Sequence, residues 1–194
     1  EQNRALKVMV RSELRLEALI EELILFSMAS SDTFLLRLDQ VKLIDLVQMA
    51  LSKVWDKADA RHVRLREHIP DTSLVVNVDR DKMRYVLIEL LDNAIKFTPE
   101  GGVVRLVILP EDSLVSISVQ DTGIGIAQDR IKELFEPFHQ LDGSVTRRYE
   151  GVGLGLALVN KIIEAHGSSI DVSSVEGKGS QFQFGLPLLN VAMG

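Results

Sequence analysis

The first 28 residues of this 194-residue chain contain neither glycine nor proline and are rich in Leu, Glu, Arg and Ala. Such a stretch predicts one long helix, because good helix formers run on with nothing to interrupt them. Met9, Leu16 and Leu23 recur every seven residues, as do Leu19 and Phe26, and Leu6 and Ile20 widen the same face. A sevenfold apolar repeat is the seam of a coiled coil. The same face could also pack on the chain's own domain, so both uses stay open, with a dimer seam the sharper of the two.

After the break at Ser30-Ser31-Asp32-Thr33, helices and strands interleave. Asp39 is expected to cap a helix over about 40–60, with Val41, Ile44, Leu46, Val47, Ala50, Leu51 and Val54 as its stripe. Val63 and Leu65 alternate with charges in a half-exposed strand ending at Pro70, and Leu74–Val78 is a second strand. Asp79 caps a helix buried through Met83, Val86, Leu87, Leu90, Leu91 and Ala94, which Thr98-Pro99-Glu100-Gly101-Gly102 stops. Strands 103–109 and 114–120 follow, then a short helix over about 128–135, a polar stretch 139–151 read as a mobile lid, a helix over about 154–166, and a hairpin of 169–173 with 181–186. Interleaved helices with hairpin-like strand pairs predict an α+β, two-layer sandwich rather than a doubly wound parallel sheet.

The formal charge of −6 argues against nucleic acid as the main partner, since that requires a basic stripe. It leaves room for an anionic ligand held by helix N-termini and a few local cations. With no cysteine, disulfides, thiolate zinc sites and cysteine nucleophiles are excluded. No apolar run is long enough to span a bilayer. The start Glu1-Gln2-Asn3-Arg4 has neither an initiator Met nor a signal-peptide pattern, and reads as a cut within a longer protein.

Three short patterns suggest chemistry. Glu89, Asn93 and Lys96 fall at i, i+4 and i+7, which puts a carboxylate, a carboxamide and an ammonium on one helical stripe. An amide oxygen suits Mg²⁺, a lysine meets phosphate as a point charge, and the Glu could position a metal-bound water. A solvated polar face would look the same. Asp121-Thr122-Gly123-Ile124-Gly125-Ile126 follows an apolar strand: a carboxylate there can accept from an exocyclic amino group, and the glycines let backbone approach a flat ring. An ordinary turn is the alternative. Gly151-Val152-Gly153-Leu154-Gly155-Leu156 opens a helix, where free amides can hold phosphate oxygens. It is neither a P-loop nor a good dinucleotide fingerprint.

In this order, and with Phe135-Glu136-Pro137-Phe138 between the last two, the motifs resemble those of the histidine kinases of the GHKL ATPase superfamily. Glu89–Phe97 is similar to the asparagine box, Asp121–Gly125 to the first glycine box, Phe135–Phe138 to the phenylalanine box and Gly151–Gly155 to the second glycine box. The resemblance covers about residues 60–188, and the N-terminal helix with Leu25-Phe26-Ser27 is similar to the second helix of the family's dimerisation domain.

It implies a Bergerat-type fold, a mixed sheet with helices on one face. Residues 1–36 would belong to the dimerisation and phosphotransfer domain and 37–190 to the catalytic domain. ATP and Mg²⁺ are the implied cofactors, with Asn93 on the metal, Lys96 on phosphates, and Glu89 and Arg147 with them in catalysis. Asp121 would take the adenine amino group, with Gly123, Gly125 and Ile126 beside the ring. Gly151, Gly153, Leu154, Gly155 and Leu156 would line the triphosphate side, and Gln140, Arg147 and Arg148 the lid. The implied partners are a second copy, through the N-terminal helix, and a response-regulator receiver domain. The implied place is the cytoplasm, with any membrane anchor in other parts of the protein.

The chain departs from the pattern at Glu150 and Val152, where many relatives have Gly and Ser/Thr; Val152 lacks a hydroxyl that could bond phosphate. His62, His68, His139 and His166 all lie off the N-terminal helix, so the phosphoacceptor is expected upstream of Glu1. Two other readings compete: a different enzyme of the superfamily, such as a serine-directed kinase or a gyrase-like or chaperone ATPase, and a pseudokinase that uses the pocket as a switch.

Overall fold

The computed structural model describes residues 2–29, 34–70, 73–139 and 153–189. Helix α1 spans Gln2–Ala29, followed by β1 (Leu38–Lys42), α2 (Leu43–Ala60), β2 (Arg64–His68), β3 (Val75–Asp79) and α3 (Arg80–Phe97). Next come β4 (Val103–Pro110), β5 (Leu114–Asp121), a 3-10 helix over Gln128–Phe135, α4 (Gly155–Ala165), β6 (Ile170–Val175) and β7 (Gly179–Pro187).

Five strands form one mixed sheet in the order β2-β4-β5-β7-β6. β2 runs parallel to β4, and every other pair is antiparallel. Alternation sorts the faces. Val104, Leu106, Ile108, Val115, Ile117, Val119, Phe182, Phe184 and Leu186 point inward and are buried. Arg105, Gln181 and Gln183 look outward, and Gln183 donates to Ser116 Oγ at 3.0 Å on that face. The inner face packs against a layer in which α2 lies on α3 and α3 on α4. The expected two-layer α+β sandwich is therefore the observed fold.

Helix α3 is the pillar of this layer. Its seven buried residues run from Met83 to Ile95 at helical spacing, each fully buried aliphatic side chain contributing on the order of 1.5–3 kcal/mol. Its start is fixed by Asp79, which accepts from Lys82 N–H at 3.1 Å, Arg37 N–H at 3.0 Å and Lys82 Nζ at 2.6 Å. Burial works to raise this carboxyl's pKa, but the bonds from Lys82 and Arg37 outweigh it and hold the group below the usual carboxylate value. Its far end is tied to α2: Arg61 Nη2 donates to Lys96 O at 2.9 Å.

One expected element is corrected. Residues 38–42 do not begin a helix capped by Asp39; they form β1, antiparallel to β3 with Asp39 opposite Val78. Helix α2 starts at Leu43, and Lys42 in the N-cap position makes no side-chain cap bond. The backbone of 38–42 pairs with β3 instead, Leu43 N–H donates to Leu74 O at 2.9 Å, and Val41 is buried. The pair β1–β3 is a separate two-stranded sheet, joined to the end of β7 by the Val76–Leu188 bridge.

Among the described side chains of α1, Leu25, Phe26 and Ala29 in its last turns pack against the core, and the helix packs on α4. Leu6, Met9, Leu16, Ile20 and Leu23 are exposed, Met9 at 68%. No described helix is long and apolar enough to cross a membrane.

Candidate functional site

The three sequence patterns meet around the C-terminal half of α3. Glu89 and Asn93 lie one turn apart, and Asn93 Nδ2 donates to Glu89 Oε1 at 3.0 Å. That bond fixes the carboxamide: with its nitrogen turned to Glu89, its oxygen is left as an acceptor. Beside the pair stands the first residue of α4. A Cβ on Gly155 would lie 2.6 Å from Glu89 Cδ, so only glycine admits this approach. The start of α4 has no side-chain cap of its own, with Leu154 at the N-cap. A carboxylate is thus held at the positive end of a helix, the place where any anion is favoured.

Asp121 ends β5. Its Oδ1 accepts from Gly123 N–H at 2.7 Å. Burial pushes the carboxyl above the usual carboxylate value, against the opposing pull of the Gly123 and Ser180 amides. Gly123 is itself wedged against α3: a Cβ there would stand 2.5 Å from Phe97 O and 2.6 Å from Asp121 Oδ1. Ile124 N–H donates to Phe97 O at 3.2 Å. Gly125 adopts φ +68°, open to glycine at little cost. Ile126 packs against the core and donates its N–H to Ser174 Oγ at 2.8 Å.

Between these two glycine regions lie the 3-10 helix and Phe138. Phe138 takes φ +62° and donates its N–H to Gly153 O at 3.0 Å, so the chain before residue 140 and the chain after residue 152 meet. Gly153 has φ +78°, and a Cβ there would lie 2.6 Å from His139 O. Leu154 is buried, and Leu156 packs on the core.

Of the residues expected from sequence, the structure brings Glu89, Asn93 and Gly155 into one cluster and Asp121, Gly123, Gly125 and Ile126 into a second at the end of α3. Lys96 lies one turn past Asn93, with its ammonium 5.0 Å from the Phe97 ring centre. Gln140, Arg147, Arg148 and Gly151, with Glu150 and Val152, lie outside the described residues. Sequence reasoning passed over Ser174, Gly179 and Ser180, which grip the Asp121 loop from behind. A Gly-Ser pair following Gly177-Lys178 in a hairpin is a signal, but one that names no partner. The histidines stay structural or peripheral. His166 uses both ring nitrogens: Nδ1 donates to Ile162 O at 2.7 Å, and Nε2 accepts from Asp79 N–H at 3.0 Å. His139 faces Glu133 at 3.1 Å, and His62 and His68 are exposed.

Residues 78–190 match the family described as histidine kinase-, DNA gyrase B-, and HSP90-like ATPase. With the motifs now placed in this fold, the chain belongs to that family as an ATP-binding catalytic domain of the sensor histidine kinase type. The sensor histidine kinase WalK of Bacillus subtilis (strain 168) is 33% identical over 175 residues, which cover 89% of this chain and 28% of WalK. Full-length ShkA, solved in complex with AMPPNP, superposes with a TM-score of 0.84 at 27% identity, covering 96% of this chain and 39% of ShkA. The Acinetobacter baumannii histidine kinase AdeS superposes with a TM-score of 0.78 at 26% identity, over 95% of this chain and 84% of the AdeS chain. The present chain thus spans only about a quarter of the length of WalK.

Proposed function

We propose that this chain is the ATP-using portion of a two-component sensor histidine kinase. It holds Mg-ATP between α3, the loop after Asp121 and the start of α4. The γ-phosphoryl group passes to a histidine nitrogen on a helix outside this sequence, and from there to an aspartate of a response-regulator receiver domain. The observation that carries this reading is the fit of Gly155 against the Glu89–Asn93 pair. It puts a helix N-terminus, which favours phosphate, beside an amide oxygen already turned for a hard cation.

The residues present suit Mg²⁺. That ion keeps several waters, shares phosphate oxygens and needs only one or two protein ligands. Asn93 Oδ1 would be such a ligand, and among the described residues there is no group of three or more His, Cys, Asp or Glu that could hold a metal by itself. When bound, the metal neutralises charge on the phosphate oxygens. Glu89 holds the Asn93 amide in register. The Asp121 carboxylate accepts from the adenine amino group, with Gly123, Gly125 and Ile126 beside the ring. Lys96 and the Gly153–Leu156 helix start are assigned to the phosphates, as are, on the motif resemblance alone, Gln140, Arg147, Arg148 and Gly151, which lie outside the described residues. Phosphoryl transfer needs positioning and charge stabilisation above all, and these groups supply both.

Residues 1–36 are assigned to a dimerisation domain and 37–190 to the catalytic domain. The exposed stripe Leu6, Met9, Leu16, Ile20 and Leu23 suits pairing with a second copy. No histidine lies on α1, and His166 has no ring nitrogen to spare, which supports an acceptor elsewhere. The chemistry is assigned to the cytoplasm.

Titration calorimetry with ATP and ADP, with and without Mg²⁺, tests the site. Asp121→Asn should weaken both nucleotides about tenfold or more, as loss of a charge-assisted bond does. Asn93→Ala should remove chiefly the Mg²⁺-dependent part. A longer protein carrying the acceptor helix should form acid-labile phosphohistidine. Acid-stable phosphoserine on a partner, or no Mg-ATP binding at all, would refute the assignment.

A further inference from the structure

Behind Asp121 the turn of the β6–β7 hairpin is locked onto the Asp121–Gln128 segment. Ser174, 5% exposed near the end of β6, is the hub. Its Oγ accepts from Ile126 N–H at 2.8 Å, and lies 2.9 Å from Gly179 O and 3.0 Å from Ser180 Oγ. A hydroxyl has one proton to give. With that proton on Gly179 O, the Ser180 hydroxyl donates to Ser174, and Ser174 Oγ is saturated with one bond given and two accepted. The Ser174 carbonyl in turn accepts from Gln128 Nε2 at 2.5 Å.

The surrounding backbone repeats the grip. Gly177 N–H donates to Ile124 O at 2.7 Å. A Cβ on Gly125 would lie 2.7 Å from the carbonyl carbon of Val175. A Cβ on Gly179, which has φ +116°, would lie 2.8 Å from the carbonyl carbon of Asp121. The Ser180 amide faces the Asp121 carboxylate and, with the Gly123 amide, partly offsets the effect of its burial. Two of the three Oγ bonds, to Gly179 and Ser180, stitch the hairpin itself, and the remaining contacts leave it. Ser174 spends its Oγ acceptor on Ile126 and its carbonyl on Gln128, both in the segment that follows Asp121.

We propose that Ser174 is a positioning residue for base recognition, its hydroxyl holding the Gly123–Ile126 loop in the conformation that receives the adenine ring. This rests on the nucleotide reading above and extends it to a residue that does not touch the ligand. In Ser174→Ala, Ile126 N–H loses its acceptor and the loop spends part of its time out of register. Apparent affinity then falls in proportion to the competent fraction, by about tenfold for a buried bond of ordinary strength.

The test is calorimetry with two probes, ADP, which carries the base, and inorganic tripolyphosphate, which does not. Ser174→Ala is expected to weaken ADP about tenfold and to leave tripolyphosphate unchanged, and Ser174→Thr, which keeps the hydroxyl, is expected to restore ADP. Amide hydrogen exchange on the nucleotide-free protein should show faster exchange at Ile126 and unchanged exchange along β4 and β5. The inference is overturned if Ser174→Ala binds ADP as the wild type does, if both probes weaken together, or if Ile126 exchange does not change. Should Ser174→Ala fail to fold, the exposed Gln128→Ala should weaken ADP about twofold and spare tripolyphosphate, and equal binding of ADP would again overturn it. Wild-type protein that binds tripolyphosphate but not ADP would instead refute the nucleotide reading itself.

Discussion

Replacing Gly155 by alanine places a methyl carbon 2.6 Å from Glu89 Cδ and 3.2 Å from its Cγ. The obstacle is a flexible side chain rather than main chain, so Glu89 gives way by rotating. It then gives up the bond to Asn93, about 1 kcal/mol, and its place at the positive end of α4, about 0.3–1 kcal/mol. Alanine returns part of this, because glycine is roughly 1 kcal/mol the poorer residue inside a helix and somewhat less so at its first position. The net loss of stability should stay within about 1 kcal/mol, or roughly 2–4 °C in Tm for a chain of this size. Gly123→Ala is the control. There a Cβ would stand 2.5 Å from Phe97 O, a main-chain atom at the end of α3 that also accepts from Ile124. Main chain cannot swing aside, so overpacking of about 1–3 kcal/mol adds to a lost hydrogen bond of about 1 kcal/mol. Urea unfolding followed by circular dichroism measures both, since the single tryptophan, Trp55, is 58% exposed and reports weakly. Calorimetry should show Gly155→Ala with weakened Mg-ATP binding despite its near-normal stability, because the Asn93 amide is no longer held. Equal destabilisation by the two substitutions would refute the claim that the Glu89 side chain yields more readily than the Phe97 main chain. Unchanged Mg-ATP affinity in Gly155→Ala would refute its role in orienting Asn93.

Burial lowers the pKa of His166 below the ordinary 6.5, with the Ile162 carbonyl and Asp79 pulling upward and Lys82 downward. A neutral ring is what the fold requires, because Nε2 must accept from Asp79 N–H. Its contribution is therefore complete above about pH 6.5 and lost as pH falls through the lowered folded value. The urea midpoint should drop on acidification from about pH 7.5 to 5.5, and the drop should flatten in His166→Leu, which starts lower; a parallel drop in that variant would assign the effect elsewhere. Asp79 does not blur this window, since its own lowered carboxyl acts below 3.8. On α1, Leu16 is 59% exposed at the centre of the sevenfold repeat. If that stripe is a dimer seam, Leu16→Glu should shift sedimentation toward monomer and leave nucleotide binding intact; an unchanged distribution would sink the seam.

The helices and central strands are legible because each has an apolar pattern long enough to read. Helix α3 announces itself with a capping Asp79 and seven buried residues at helical spacing; β4 is a nearly continuous apolar run, and in β5 Val115, Ile117 and Val119 alternate with Ser116 and Ser118. The error at β1 has the opposite cause. Five residues with one buried side chain carry almost no periodic signal, Asp39 is a good cap by type, and the partner strand lies more than thirty residues away. Local rules cannot see a partner at that separation. The candidate site divides in the same way. Gly123, Gly125 and Gly155 are visible in sequence because glycine is costly without a reason, yet the reason differs at each: a helix-end carbonyl, a neighbouring hairpin and a carboxylate. Ser174 is invisible, because serine in a strand is ordinary until its hydroxyl is seen to cross 48 residues to Ile126. Lys96 shows the converse, a residue whose spacing with Asn93 is suggestive while its ammonium rests over Phe97. Motif spacing identifies which atoms can meet a ligand. What decides whether they are held ready is the contact behind them: Asn93 is held by Glu89 from within its own motif, whereas the loop after Asp121 is held by Ser174, outside every motif.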